Sequence, residues 1–137
     1  MVMKRAEIVL PGRYSAYTAL HDFVVSFAES QRYSAIFQDA LQLSLKEAFV
    51  NAVRHGNRQQ DHLTVTCTLT VVANTLLASI RDCGTGFNPD EMANPTEPKN
   101  LLKPSGRGLY IIRSIAEIIA LECSGDGSTL QLRYIPW

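Results

Sequence analysis

Apolar and polar residues alternate with period two around Ala6, Ile8 and Leu10, which predicts a first strand ending at Pro11-Gly12. From Ser15 the period changes. Ala16, Ala19, Leu20, Phe23, Val24 and Phe27 recur at helical spacing and predict an amphipathic helix to about residue 30. A second helix is predicted over about 34–55. Its apolar stripe is Phe37, Ala40, Leu41, Ala48 and Ala52, with Ser34 as the capping residue and Gly56 as a left-handed stop. Leu63, Val65, Cys67, Leu69 and Val71 then alternate with Thr64, Thr66, Thr68 and Thr70, the clearest strand in the chain. Ala73-Asn74 suits a tight turn, and residues 75–81 return as the second arm of a hairpin. Residues 88–105 hold four prolines and little apolar periodicity, and read as a loop or lid with at most a short helix around 90–92. Gly106-Arg107-Gly108 opens a third helix with an inward face of Leu109, Ile112, Ile115, Ala116 and Ile119. Two last strands are expected near 120–123 and 129–135, joined through Gly125-Asp126-Gly127.

These elements fit one domain, because 137 residues suffice for a single core. A hydrophobic fraction of 46% against 19% charged residues belongs to a globular chain. The 13 basic and 13 acidic residues cancel, so no general attraction to nucleic acid or anionic membrane is expected. The start lacks a signal-peptide core, and no apolar run reaches membrane-spanning length. Cys67, Cys83 and Cys123 are odd in number and widely spaced, which points to a reducing cytoplasm and not to a disulfide framework or zinc site.

Three places carry chemistry. Glu47, Asn51 and His55 follow at i, i+4 and i+8 on the second helix and stack along one side. A carboxylate with a carboxamide can hold hydrated magnesium and orient a hydroxyl or water; the plainer alternative is a pair of solvated helix residues. Asp82-Cys83-Gly84-Thr85-Gly86 follows a strand. A buried carboxylate there can accept from an exocyclic amine such as that of adenine, and the glycines let backbone approach a flat ring; the alternative is an ordinary Asp-Gly turn. Gly106-Arg107-Gly108 places free backbone N–H groups at a positive helix end, an anion site to which Arg107 can add a charge-assisted contact. The alternative is a glycine-rich helix start. Neither the dinucleotide fingerprint nor the common phosphate loop is present.

In this order, Glu-x-x-x-Asn, Asp-x-Gly-x-Gly and Gly-x-Gly resemble the Bergerat-fold ATPases, the superfamily of histidine-kinase catalytic domains and type II topoisomerases. The wording of residues 47–56, 81–87 and 106–112 is similar to the anti-sigma-factor serine/threonine protein kinases, over nearly the whole chain. The resemblance implies an α/β (α+β) two-layer sandwich, a mixed, mostly antiparallel sheet with helices on one face. It implies ATP and Mg2+ as cofactors. Glu47 would be the general base, Asn51 the magnesium ligand through the phosphates, and Asp82 the adenine contact. Gly84 and Gly86 would shape the base pocket, Gly106, Arg107 and Gly108 would meet the phosphates, and residues 88–105 would be the ATP lid. Implied partners are a STAS-domain antagonist as phosphoryl acceptor, a sigma factor or other regulator held by partner switching, and a second copy in a homodimer. A nucleotide-dependent binding switch without transfer is the alternative. A histidine-kinase catalytic domain fits less well, since no dimerisation helix pair precedes the first strand. His55 is read as a capping or packing residue with direct catalysis as the alternative, Arg54 is given no role, and His21 and His62 are read as unconnected with any metal.

Overall fold

The computed structural model describes residues 4–57, 60, 62–83, 107–124 and 127–137. Five strands form one sheet: β1 (Lys4–Pro11), β2 (Thr64–Val72), β3 (Thr75–Asp82), β4 (Glu117–Ser124) and β5 (Gly127–Tyr134). Their spatial order is β1-β2-β3-β5-β4, and all four pairings are antiparallel. β3 lies in the middle, so the residue at its end, Asp82, faces neighbours from both sides. Three helices cover one face: α1 (Tyr17–Ser30), α2 (Ala35–Asn51) and α3 (Arg107–Ile115).

The period-two pattern explains which face they cover. Val65, Cys67 and Leu69 of β2 align with Asp82, Ile80 and Ala78 of β3, and Ala78 and Ile80 align with Leu132 and Leu130 of β5. The apolar residues among them are buried in one core with Leu20 and Val24 of α1, Phe37, Leu41, Leu45 and Phe49 of α2, and Ile112 of α3. Thr66, Thr68, Thr70, Ser79, Thr129 and Gln131 take the opposite face, where they are half-buried. The β2–β3 turn is the expected two residues, with Ala73 in the left-handed region at φ 55°. Ser34 caps α2 by accepting from the Phe37 N–H at 3.2 Å, and its own hydroxyl donates to the Trp137 carbonyl. The Trp137 ring packs edge-on against Phe37 with centroids 4.9 Å apart, an anchor and not a loose end.

Two boundaries differ from the sequence reading. The second helix does not stop at a left-handed Gly56. It widens into one π-helical turn over Ala52–Gly56, and the cap falls on Asn57 at φ −81°, whose N–H reaches back five residues to the Ala52 carbonyl at 2.8 Å. The third helix ends at Ile115, so Ile119 is not on its inward face. Ile119 lies in β4 and is 47% exposed. The run Ile118-Ile119-Ala120-Leu121 suits a helix or a strand by composition, and pairing with β5 decides it.

Burial sets the proton chemistry of two core groups. It pushes the Cys67 thiol up to about 12, and it raises the Tyr134 phenol although a 2.6 Å hydrogen bond to Ser44 opposes the shift. Ser44 donates to the Leu41 carbonyl at 3.0 Å, so Tyr134 donates to Ser44. The folded chain therefore keeps two protons that the unfolded chain releases at alkaline pH. Stability from these groups is complete below the ordinary thiol value of about 8.5 and is lost as pH rises from there towards 12. Thermal melts between pH 8 and 11 will show a falling midpoint, with a shallower fall in Cys67→Ala; parallel curves would overturn this assignment. Native-state alkylation at neutral pH will modify exposed Cys83 and spare Cys67.

Candidate functional site

The site forms where the end of α2, the end of β3 and the start of α3 meet. Glu47 and Asn51 sit one turn apart on α2, both half-buried. They face α3 across a narrow gap at Gly108. A methyl group on Gly108 would lie 3.1 Å from Glu47 Oε2 and 3.2 Å from Asn51 Nδ2. The acid–amide pair thus sits directly beneath the first turn of α3, where backbone N–H groups have no intrahelical acceptor. That first turn is also the positive end of the helix.

Asp82 closes the other end. It is 2% exposed, and its Oδ1 accepts from the Ser128 N–H at 3.1 Å. Gly127, at φ +149°, makes this possible, because a Cβ there would fall 2.1 Å from the Asp82 carbonyl oxygen. Between Asp82 and Asn51 lies a narrow cleft, partly open to solvent. Its walls are mostly apolar: Ala48 and Ala52 of α2, Ile80 of β3, Leu109 of α3, Leu121 of β4 and Leu130 of β5. An apolar slot with a carboxylate at its closed end and an acid–amide pair at its mouth suits a flat, amine-bearing ring joined to an anionic tail.

The sequence spans 10–134 match the family model described as the histidine kinase-like ATPase domain. The chain belongs to the histidine kinase-like ATPase domain family. ATP is therefore the ligand expected of the cleft at the level of the family. No curated protein matches the sequence. Among solved structures, the chain is similar to the RsbU and RsbW domains of Rv1364c from Mycobacterium tuberculosis. That likeness has a TM-score of 0.65 at 15% identity and covers 97% of this chain and 32% of that one. A histidine kinase domain from the Erythrobacter litoralis EL346 blue-light activated histidine kinase gives 0.58 at 15% identity, covering 92% and 61%. The Acinetobacter baumannii histidine kinase AdeS gives 0.52 at 14% identity, covering 96% and 68%. These likenesses establish a shared fold. The chain spans about a third of the first structure and about three-fifths of the second.

Asn51 and Asp82 line one cleft, and Glu47 and Gly108 lie beside Asn51 without lining it. Gly84, Gly86, Gly106 and the lid at 88–105 lie outside the described residues, as do the side chains of Arg107 and His55. Arg54 is exposed. Among the described residues, no cluster of three or more His, Cys, Asp or Glu gathers as a metal cage. No described helix is long and apolar enough to cross a membrane.

Sequence reasoning missed the residues that support Asp82. Gly127 and Ser128 were legible only as a turn and a strand start. Asn57 lies between the predicted second helix and the next strand, yet it is fully buried. The one available signal was its place directly after the glycine of a helix end, where asparagine is favoured.

Proposed function

We propose that this chain is an ATP-dependent protein serine/threonine kinase of the anti-sigma type. It would phosphorylate a STAS-domain antagonist and hold a sigma factor or other regulator, releasing it by partner switching. The observation that supports the reading is that Asn51, which lines the same cleft as Asp82, also meets Gly108 at the start of α3 next to Glu47. The wording of the three motifs supports the anti-sigma assignment, and the fold shared with histidine kinase domains supports ATP as the phosphoryl donor.

In this reading Asp82 accepts from the adenine amino group. A carboxylate offers about four lone-pair sites, so this contact and the Ser128 N–H fit on the same group. The apolar walls hold the ring. The amides at the start of α3 meet the phosphates, which Gly108 allows to come close to Asn51. The hard oxygen of Asn51 fits Mg2+ bound jointly by phosphates, and one carboxamide is enough for an ion that keeps most of its water. The metal would neutralise phosphate charge. Glu47 takes the proton of the acceptor hydroxyl as its oxygen bonds to the γ-phosphorus and the bond to ADP breaks. Positioning and charge complementarity supply most of the remaining acceleration.

The test mixes the protein with γ-labelled ATP, magnesium and a STAS-domain protein. Label is expected on a serine or threonine of the acceptor. ATP binding without label on any acceptor would overturn the kinase and leave a nucleotide-dependent binding switch.

A further inference from the structure

Asn57 does not line the cleft, yet it makes four hydrogen bonds in a site with no solvent exposure. Its N–H closes the π turn of the helix that carries Glu47 and Asn51, and its carbonyl accepts from the Gln60 N–H at 3.0 Å. Its side chain reaches the sheet. Nδ2 donates to the Thr64 carbonyl at 3.0 Å, and Oδ1 accepts from the Cys83 N–H at 2.9 Å. Thr64 and Cys83 lie just beyond the last β2–β3 ladder pair, Val65 with Asp82. The carboxamide therefore acts as a rung of the ladder, supplied by the helix. Gly12 packs beside it, where a Cβ would fall 2.5 Å from the Leu63 carbonyl oxygen and 2.6 Å from Asn57 Nδ2.

We infer that Asn57 is a positioning residue for base recognition, holding the end of β3 so that Asp82 stays at a fixed distance from Glu47 and Asn51. The inference rests on the reading of Asp82 as the adenine contact. Its physical basis is geometric. Asp82 ends β3, and its backbone is held on one side by Val65 of β2 and on the other by Gly127, which packs on its carbonyl. Cys83 is the next residue, and its N–H is fixed by Asn57. Without the carboxamide the strand end is free to swing about its last ladder pair, and a swing moves the carboxylate at the closed end of the cleft. Because the same residue closes the turn after Asn51, it ties the base end of the site to the phosphate end through one side chain.

The experiment follows amide hydrogen exchange and ligand preference together. In Asn57→Ala, the Cys83 and Ser128 amides are expected to exchange faster relative to mid-sheet amides of Leu69 and Ala78. Ser128 is the telling probe, because its N–H is held by Asp82 and makes no contact with Asn57. ATP affinity is expected to fall roughly tenfold or more, since buried polar groups lose their partners, while affinity for inorganic triphosphate changes far less. Asn57→Asp keeps an acceptor opposite Cys83 but sets an oxygen against the Thr64 carbonyl, so its Ser128 amide is expected to exchange faster as well. Wild-type exchange of Ser128 and wild-type preference for ATP over triphosphate in Asn57→Ala would overturn the inference, even with a lowered melting midpoint. Should neither variant fold, native-state exchange of the wild type decides. Cys83 and Ser128 must open with one common free energy as denaturant rises, and separate openings overturn the coupling. A wild type that binds no ATP would sink the functional reading, while the exchange measurements would still decide the role of Asn57.

Discussion

Replacing Glu47 with glutamine is expected to slow phosphoryl transfer by about 10²–10⁴-fold, the range supplied by a positioned general base. ATP affinity should hardly change. Glutamine keeps the length and shape of the side chain, so the gap to Gly108 and the packing of α3 on α2 persist. It removes the capacity to take a proton, together with the negative charge and one acceptor oxygen. The split is the informative part. A loss confined to turnover assigns Glu47 to the chemical step. An equal loss in ATP binding would make it a ground-state contact. Unchanged turnover would remove it from the reaction altogether. Single-turnover transfer and calorimetric titration of the same preparation separate the three outcomes.

Asp82→Asn has the opposite signature. The variant keeps an oxygen for the Ser128 N–H, so the start of β5 stays in place. It swaps the other oxygen for a donor, which opposes the amino group of adenine. A buried donor facing a donor leaves both unsatisfied, at about 1–3 kcal/mol. That is a loss of roughly 5- to 150-fold in ATP affinity. Discrimination between ATP and GTP should narrow by a similar factor, because a donor at this position suits a carbonyl on the ring. Calorimetry with both nucleotides checks this. A folded variant with unchanged ATP affinity would remove Asp82 from base recognition.

The parts of this site that the sequence made legible are those whose chemistry is local. Glu47 and Asn51 are four apart on a helix, so helical periodicity alone puts them side by side. Asp82 is the last residue of a strand whose alternation with Leu76, Ala78 and Ile80 is unbroken, so its burial follows from parity. The hairpin register followed from two residues of turn. What stayed hidden depends on meetings between distant segments. Nothing local distinguishes Gly127 from any turn glycine, because its constraint is the Asp82 carbonyl 45 positions away in the chain. Asn57 is buried by Thr64, Cys83 and Gly12, three residues from three segments. The boundary of α3 was misjudged for the same reason. Ile118 to Leu121 carries no periodicity of its own that forbids helix, and only the presence of β5 alongside makes it strand.

The threonine-bearing side of the sheet takes no part in holding the cleft. Among the described residues, the groups assigned to nucleotide lie on the helix-covered side or at a strand end. On this face Thr68 donates to Glu7 at 3.0 Å, and Thr68, Ser79 and Gln131 line a shallow depression apart from the cleft. Substitution there is decoupled from catalysis, which leaves the molecule one broad surface on which descendants can acquire new contacts without retuning the reaction.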